Sequence, residues 1–204
     1  MASFTTSWHR FNTVIIDDSG TGFSANGLIG TATGTASLEA VNDAIELSDP
    51  NIIDSSGTQL EFSEEIPSSG IIKGIQYKYH ISASDAALSP LEKLRTFSKI
   101  GGSSGDYRES FSTSVNNGVT LTLGGSQDTL SLNSLTPTSV DNLRIRFQYF
   151  QAANLPKFLF HGKTYDPSDD DTPVPAVRIF YDIPPKITIT TGKLNITSGK
   201  VSIV

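Results

Sequence analysis

The chain contains no cysteine. That excludes disulfides, cysteine-ligated zinc or iron–sulfur centres and thiol nucleophiles, so the fold must be held by packing and hydrogen bonds. Histidine is scarce as well, with His9, His80 and His161 far apart along the chain. A zinc site needs several nitrogen or sulfur ligands at close spacing, and no segment supplies them. Positive charge is in deficit: 15 Lys and Arg stand against 21 Asp and Glu, a net of −6. That balance argues against nucleic acid as a general partner. Long apolar runs are missing, since none approaches the roughly 20 residues that cross a bilayer. The start, MASFTTSWHR, has no apolar h-region, so neither a membrane segment nor a cleaved export signal is expected.

Strand signals are abundant. Hydrophobic residues make up 37% of the 204, including 11 Phe and 6 Tyr, enough for a real core and against global disorder. Residues 71–81 (IIKGIQYKYHI) alternate, which assigns Ile71, Ile75, Tyr77, Tyr79 and Ile81 to one face, with Gly74 as a bulge. In 142–148 (NLRIRFQ), Leu143, Ile145 and Phe147 share a face with the following Tyr149, opposite Arg144, Arg146 and Gln148. Residues 176–182 (AVRIFYD) read as another strand, closed by Pro184-Pro185. Residues 110–114 and 119–123 read as strands around Asn116-Asn117-Gly118, a hairpin signal. Shorter strands are expected at 13–17 and 58–62, and 39–47 (EAVNDAIEL) suits a helix or a strand. A short helix is expected in 90–94 (PLEKL), and turns at 67–70 and 135–139. The glycines at 101–105 and 124–125 read as flexible connections, because neither run has the Gly-Lys-Ser/Thr ending of a phosphate loop. Short strands, frequent turns and little helix predict an all-β, antiparallel sandwich.

The two ends differ from the middle. Residues 189–204 (ITTGKLNITSGKVSIV) repeat a seven-residue unit, with Lys186, Lys193 and Lys200 and no acid after Asp182. The unit is no coiled coil: Gly192 and Gly199 would each cost about 1 kcal/mol in a helix interior. Short strands separated by Thr191-Gly192 and Ser198-Gly199 fit better. The opposite end is aromatic, with Phe4, Trp8 and Phe11. The expected division is an N-terminal arm over 1–12, a sandwich over 13–185 and a C-terminal β-repeat tail over 186–204. Two such repeats cannot bury their apolar face alone. Phe4, Trp8, Phe11, Ile187, Ile189, Leu194, Ile196, Val201 and Ile203 are therefore assigned to an assembly interface, made by strand addition to a neighbouring chain.

Three segments resemble one family. FSEEIPSSGIIKGIQYKY (62–79), VTLTLGGSQDTLSLNSLTPTSVDNLRIRFQYF (119–150) and PAVRIFYDIPP (175–185) resemble the strands and turns of a jelly-roll module. That module recurs in tailed-phage and prophage virion proteins. The tryptophan usual after the position of Asp128 is absent here, where Thr129-Leu130 stands, and 158–173 reads as an insertion. The resemblance implies a jelly-roll-like sandwich carried on virions, in decoration, fibre or tail proteins, and brings no catalytic residues.

The chemistry-bearing residues point the same way. His80 is expected to face outward from its strand, and DPSDDDTP (166–173) lacks the order of an EF-hand calcium loop. Glu64 and Glu65 are adjacent, so on a strand they point to opposite faces and make no carboxylate pair. No Gly-x-Ser-x-Gly elbow is present. Arg144 and Arg146 are expected to pair with acids on a neighbouring strand. The reading is a non-enzymatic virion structural protein of a tailed bacteriophage without cofactor or metal. It would decorate or cement the capsid as a trimer, with the major capsid protein or other virion proteins as partners. One alternative is a head or tail fibre component that binds the host surface. Another is a soluble carbohydrate-binding module in which exposed Tyr or Trp stacks on sugars.

Overall fold

The computed structural model describes residues 2–17, 35–38, 44–53, 58–83, 93–100, 103–111, 119–149, 158–161, 175–185, 187–190 and 193–196. Among the described residues, apart from one helical turn, α1 (Phe62–Glu65), and a 3-10 turn at Ser139–Asn142, the regular structure is strand. The strands are β1 (Ala2–Thr5), β2 (His9–Asp17), β3 (Thr35–Leu38), β4 (Ala44–Ile53), β5 (Gln59–Leu60), β6 (Ile71–Ala83) and β7 (Lys93–Ile100). They continue with β8 (Ser103–Phe111), β9 (Val119–Gly124), β10 (Leu143–Tyr149), β11 (Phe158–His161), β12 (Ala176–Ile183), β13 (Ile187–Thr190) and β14 (Lys193–Ile196).

Among the described residues every pairing is antiparallel, and twelve strands form one sheet: nine lie on the hydrogen-bonded path β3-β11-β6-β12-β2-β4-β10-β7-β8, with β1, β5 and β9 added at its sides. The path folds over on itself into a sandwich. β6 is not paired with β7 or β10, yet the Tyr77 hydroxyl lies 2.6 Å from Ser98 Oγ on β7. Tyr79 meets Phe147 of β10 edge-on at 4.9 Å. The core between the layers holds Ile75, Tyr77, Tyr79, Val177 and Ile179 on one side and Leu47, Leu143, Ile145 and Phe147 on the other. Burial raises the Tyr77 hydroxyl pKa well above the ordinary phenol value. Tyr77 thus stays neutral and can hydrogen-bond without the cost of a buried charge.

The N-terminal strand joins the layers. β1 and the start of β2 run along β12, from Ala2 opposite Ile183 to Arg10 opposite Ala176. β2 then runs along β4, from Arg10 opposite Asn51 to Asp17 opposite Ala44. Residues 2–12, expected to stand apart as an arm, therefore belong to the sandwich through β1 and β2. Their aromatic residues have apolar surface to cover within the chain, and main-chain pairing with β12 satisfies their backbone groups.

Alternation correctly placed β6, β10 and β12, but the phase of β6 differs at its start. Phe180 lies opposite Gly74 and Tyr181 opposite Ile72, so Lys73 is an extra residue in β6. The bulge turns Ile72 inward and leaves Ile71 exposed. Gly74 is required there for a second reason. The turn at 124–128 clips onto this point, with Gly125 N–H donating to Ile75 O and Ile75 N–H to Asp128 O, both at 2.9 Å. A Cβ on Gly74 would lie 2.0 Å from Gly125 O.

Other expectations are corrected. β8 pairs with β7, and β9 with β6 in the other layer, so among the described residues the strands flanking Asn116-Asn117-Gly118 are not paired with each other. A turn signal is local, whereas the partner is decided by which face can be buried. Leu121 and Leu123 of β9 pack on the core cluster. Lys93 and Leu94 begin a strand and not a helix, Ser103 onward is strand, and the first part of the expected insertion, 158–161, is β11. Within 58–62 the strand stops at Leu60, and Phe62 opens α1. The Asp cluster at 166–171 lies outside the described residues.

Gly74→Ala is expected to destabilise the protein by at least about 1–3 kcal/mol, as overpacking against fixed backbone does. Denaturant unfolding checks this, and an unchanged midpoint would show that the 124–128 turn is not held where the structure places it.

Candidate functional site

The N-terminal strand carries one extra residue against β12. Between the pairs Thr5–Phe180 and His9–Val177 it advances four residues while β12 advances three. The irregularity is fixed by Thr6. Its backbone N–H donates to Ile179 O and its hydroxyl accepts from the Ile179 N–H, each at 3.0 Å. A bulge re-aims the side chains beside it, and the residue it serves is Trp8. The indole lies over the outer side of the β6–β12 layer, with the Arg178 guanidinium 4.5 Å and the Lys78 ammonium 6.0 Å from its ring centre.

Arg178 is held from three sides. Gln76 stands directly opposite it in register, and its Oε1 accepts from Arg178 Nε at 2.9 Å. Phe180, two residues along the same face, has its ring centre 5.1 Å from the guanidinium. Partial burial pushes the Arg178 pKa below the ordinary arginine value. The result is a half-buried platform of Trp8, Phe180, Arg178, Gln76 and Lys78, continued by the exposed Thr122 of β9 opposite Lys78. Two aromatic rings among planar hydrogen-bonding groups can stack on the apolar side of a ring-shaped ligand and bond to its polar rim.

The same N-terminal segment is pinned at the sandwich end. His9 is fully buried, stacks on Phe62 at 3.8 Å, and its Nε2 lies 3.1 Å from Glu65 Oε1. Glu65 Oε2 also accepts from the Ser7 N–H at 2.9 Å. Glu65 is positioned by α1, which a reciprocal Glu61–Glu64 capping box starts. Burial raises the Glu65 pKa, but the His9 bond and the Ser7 N–H more than offset it, leaving the carboxyl below its ordinary value. Burial and the charge of Glu65 raise the pKa of Tyr181. This group anchors the strand.

The residues assigned to an assembly interface scatter. Phe11 is 1% exposed in the core and stacks on Tyr77 at 6.1 Å. Trp8 belongs to the platform. Phe4, 42% exposed, stacks on Tyr181 at the edge. In the tail, β13 and β14 form a hairpin by themselves, with Ile187 opposite Ile196 and Ile189 opposite Leu194. Val201 and Ile203 lie outside the described residues. Of the outer arginines of β10, Arg144 pairs with an acid on a neighbouring strand as expected, Glu46 of β4 at 3.2 Å, and Lys99 of β7 reaches the same carboxylate at 2.7 Å. Glu64 and Glu65 sit on α1 and not on a strand. Register sets His80 directly opposite His161, a pairing that no local spacing could show. Sequence reasoning missed Arg178 and Gln76, which meet across strands 102 residues apart.

No family model and no curated protein matches the chain. Among solved structures, one described as "CBM4 structure and function" aligns with 74% of this chain and 92% of its own. The alignment has 12% identity and a TM-score of 0.38, a likeness too loose to carry an argument. The class the fold defines is an antiparallel β-sandwich, and function has to be argued from its surfaces.

Glu65→Gln tests the anchor. The folded-state pKa is lowered, so the carboxylate's contribution is complete above about pH 4.5 and is lost as pH falls through the lower folded value. At pH 7 the variant should be less stable by about 1 kcal/mol. The gap should close towards pH 3 in urea unfolding series, and a gap constant with pH would contradict the ionised pairing.

Proposed function

We propose that this chain is a non-catalytic binding sandwich that takes carbohydrate on the outer face around Trp8. The observation that carries the reading is the grouping of Trp8, Phe180, Arg178 and Gln76 on one face of adjacent strands. Pyranose rings have an apolar side that stacks on aromatic rings, and hydroxyls that suit planar amide and guanidinium groups. A rigid sheet holds such a platform with little ordering cost on binding. Binding to a glycan array is expected, and Trp8→Ala should lower it at least tenfold with the far-UV spectrum unchanged. Full binding by the variant would remove the platform from the reading.

The tail supports a second reading, a virion structural protein that decorates a phage capsid, with the family resemblance as its context. The hairpin β13–β14 pairs with no strand of the large sheet among the described residues. A hairpin of two strands is marginal on its own, which suits pairing with a neighbouring copy or capsid protein. Light scattering of the full chain and of a chain ending at Pro185 tests it. Loss of a trimer on truncation is the expected outcome, and a monomer in both would count against tail-driven trimerisation.

A further inference from the structure

The two outer faces of the sandwich treat positive charge differently. On β10 and β7, Arg144 and Lys99 converge on a single carboxylate, Glu46, which is itself buried. The desolvation of that carboxylate is more than balanced by its two cations, since its pKa lies below the ordinary value. On β6 and β12, Lys78 and Arg178 flank Trp8 with no carboxylate partner among the described residues. The position opposite Arg178, where an acid would neutralise it, holds the amide of Gln76. Asp182, four residues along β12, accepts from the Ser3 hydroxyl at 2.7 Å and makes no ion pair with Arg178.

The guanidinium is also aimed. Nε is bonded to Gln76, and its plane is confined by Trp8 and Phe180. Among the described residues its terminal amino groups have no hydrogen-bond partner. A guanidinium so held presents a fork that matches a carboxylate or sulfate in two parallel bonds. Its rotamer entropy is already spent, so less is lost when an anion docks. Lys78 supplies a second charge, 6.0 Å from the indole centre.

We propose that the ligand of this face is an acidic saccharide whose anionic group is taken by Arg178, with Lys78 assisting, while a sugar ring stacks beside Trp8. The proposal rests on the carbohydrate reading above. Arg178 is the specificity-determining residue, because neutral sugars gain nothing from an unpaired guanidinium that an amide would not also give. Gln76 is a positioning residue that fixes the fork.

The test is a glycan array carrying neutral, carboxylated and sulfated saccharides, followed by titration calorimetry with the best ligand. For a carboxylated hit, the counterpart is the same oligosaccharide with its carboxyls reduced to alcohols; for a sulfated hit, it is the desulfated form. Binding to acidic glycans is expected, with at least tenfold loss for the neutralised counterpart and steady weakening as sodium chloride is raised. Carboxylated and sulfated arms identify which anion is recognised. Arg178→Gln should cost about tenfold with the acidic ligand and remove most of the preference for it over its neutralised form; Lys78→Gln should act similarly but less strongly. Arg178→Lys keeps the charge and should rescue only part of the loss, because the fork is gone. Equal binding of charged and neutral glycans would overturn the acidic ligand and leave the carbohydrate reading standing. No binding to any glycan would overturn both.

Discussion

The fold depends on one strand serving two layers. Residues 2–10 complete the edge of β12 and residues 10–17 complete the edge of β4. A sandwich made from one continuous sheet must turn a corner somewhere, and corners are made by bulges and bends. Here the extra residue near Thr6 lies just ahead of the handover. The Thr6 hydroxyl substitutes for a backbone acceptor that the irregular ladder has lost, so the Ile179 N–H stays satisfied. Buried Phe11, stacked Phe62–His9 and the Ser7–Glu65 bond then fix the strand on both sides of the corner.

The same corner creates the platform. Without the extra residue, strict alternation would carry the side-chain phase of β1 unchanged into β2. With it, Phe4 and Phe11 both serve apolar surfaces, at Tyr181 and at Tyr77, while Trp8 lies over Arg178 on the outer side. A second bulge, at Lys73, works alongside. It brings Gly74 under the 124–128 turn and sets Gln76 opposite Arg178. That turn also needs Gly124 at φ +83, where a Cβ would lie 2.1 Å from Ile75 O. Two local departures from regular pairing therefore determine what the β6–β12 face displays.

These departures mark the limit of what the sequence made legible. Strong alternation in 143–149 and 176–181 located β10 and β12, because burial of one face imposes a period of two. The bulge at Gly74 could be suspected, since glycine inside a strand pattern often marks one. Its effect on phase could not: Ile71 and Ile72 are equally apolar, and only the register against β12 decides between them. Pairing of distant strands was hidden for the same reason. Nothing local distinguishes a β9 that pairs with β8 from one that pairs with β6. Trp8 was visible as the only tryptophan, but its neighbours were not. Arg178 and Gln76 belong to segments legible as strands whose partnership depends on topology.

The contrast between the two faces bears on why an arginine with no carboxylate partner among the described residues stands at 178. The arrangement around Glu46 is the economical one for structure, because each of its two cations has a carboxylate partner within the sheet. Arg178 has an amide, two rings and partial desolvation, and desolvation disfavours its charged form. An apolar residue or a paired lysine at 178 would serve the sheet at least as well, since ionic groups often match hydrophobic ones at best for stability. Cation–π contacts recover about 0.5–2 kcal/mol, but they do not require that the terminal amino groups stay open. Packing explains why the guanidinium is immobile; it does not explain why its hydrogen-bonding edge is left unsatisfied by the described chain. An anion from outside satisfies that edge without moving any of the groups that hold it.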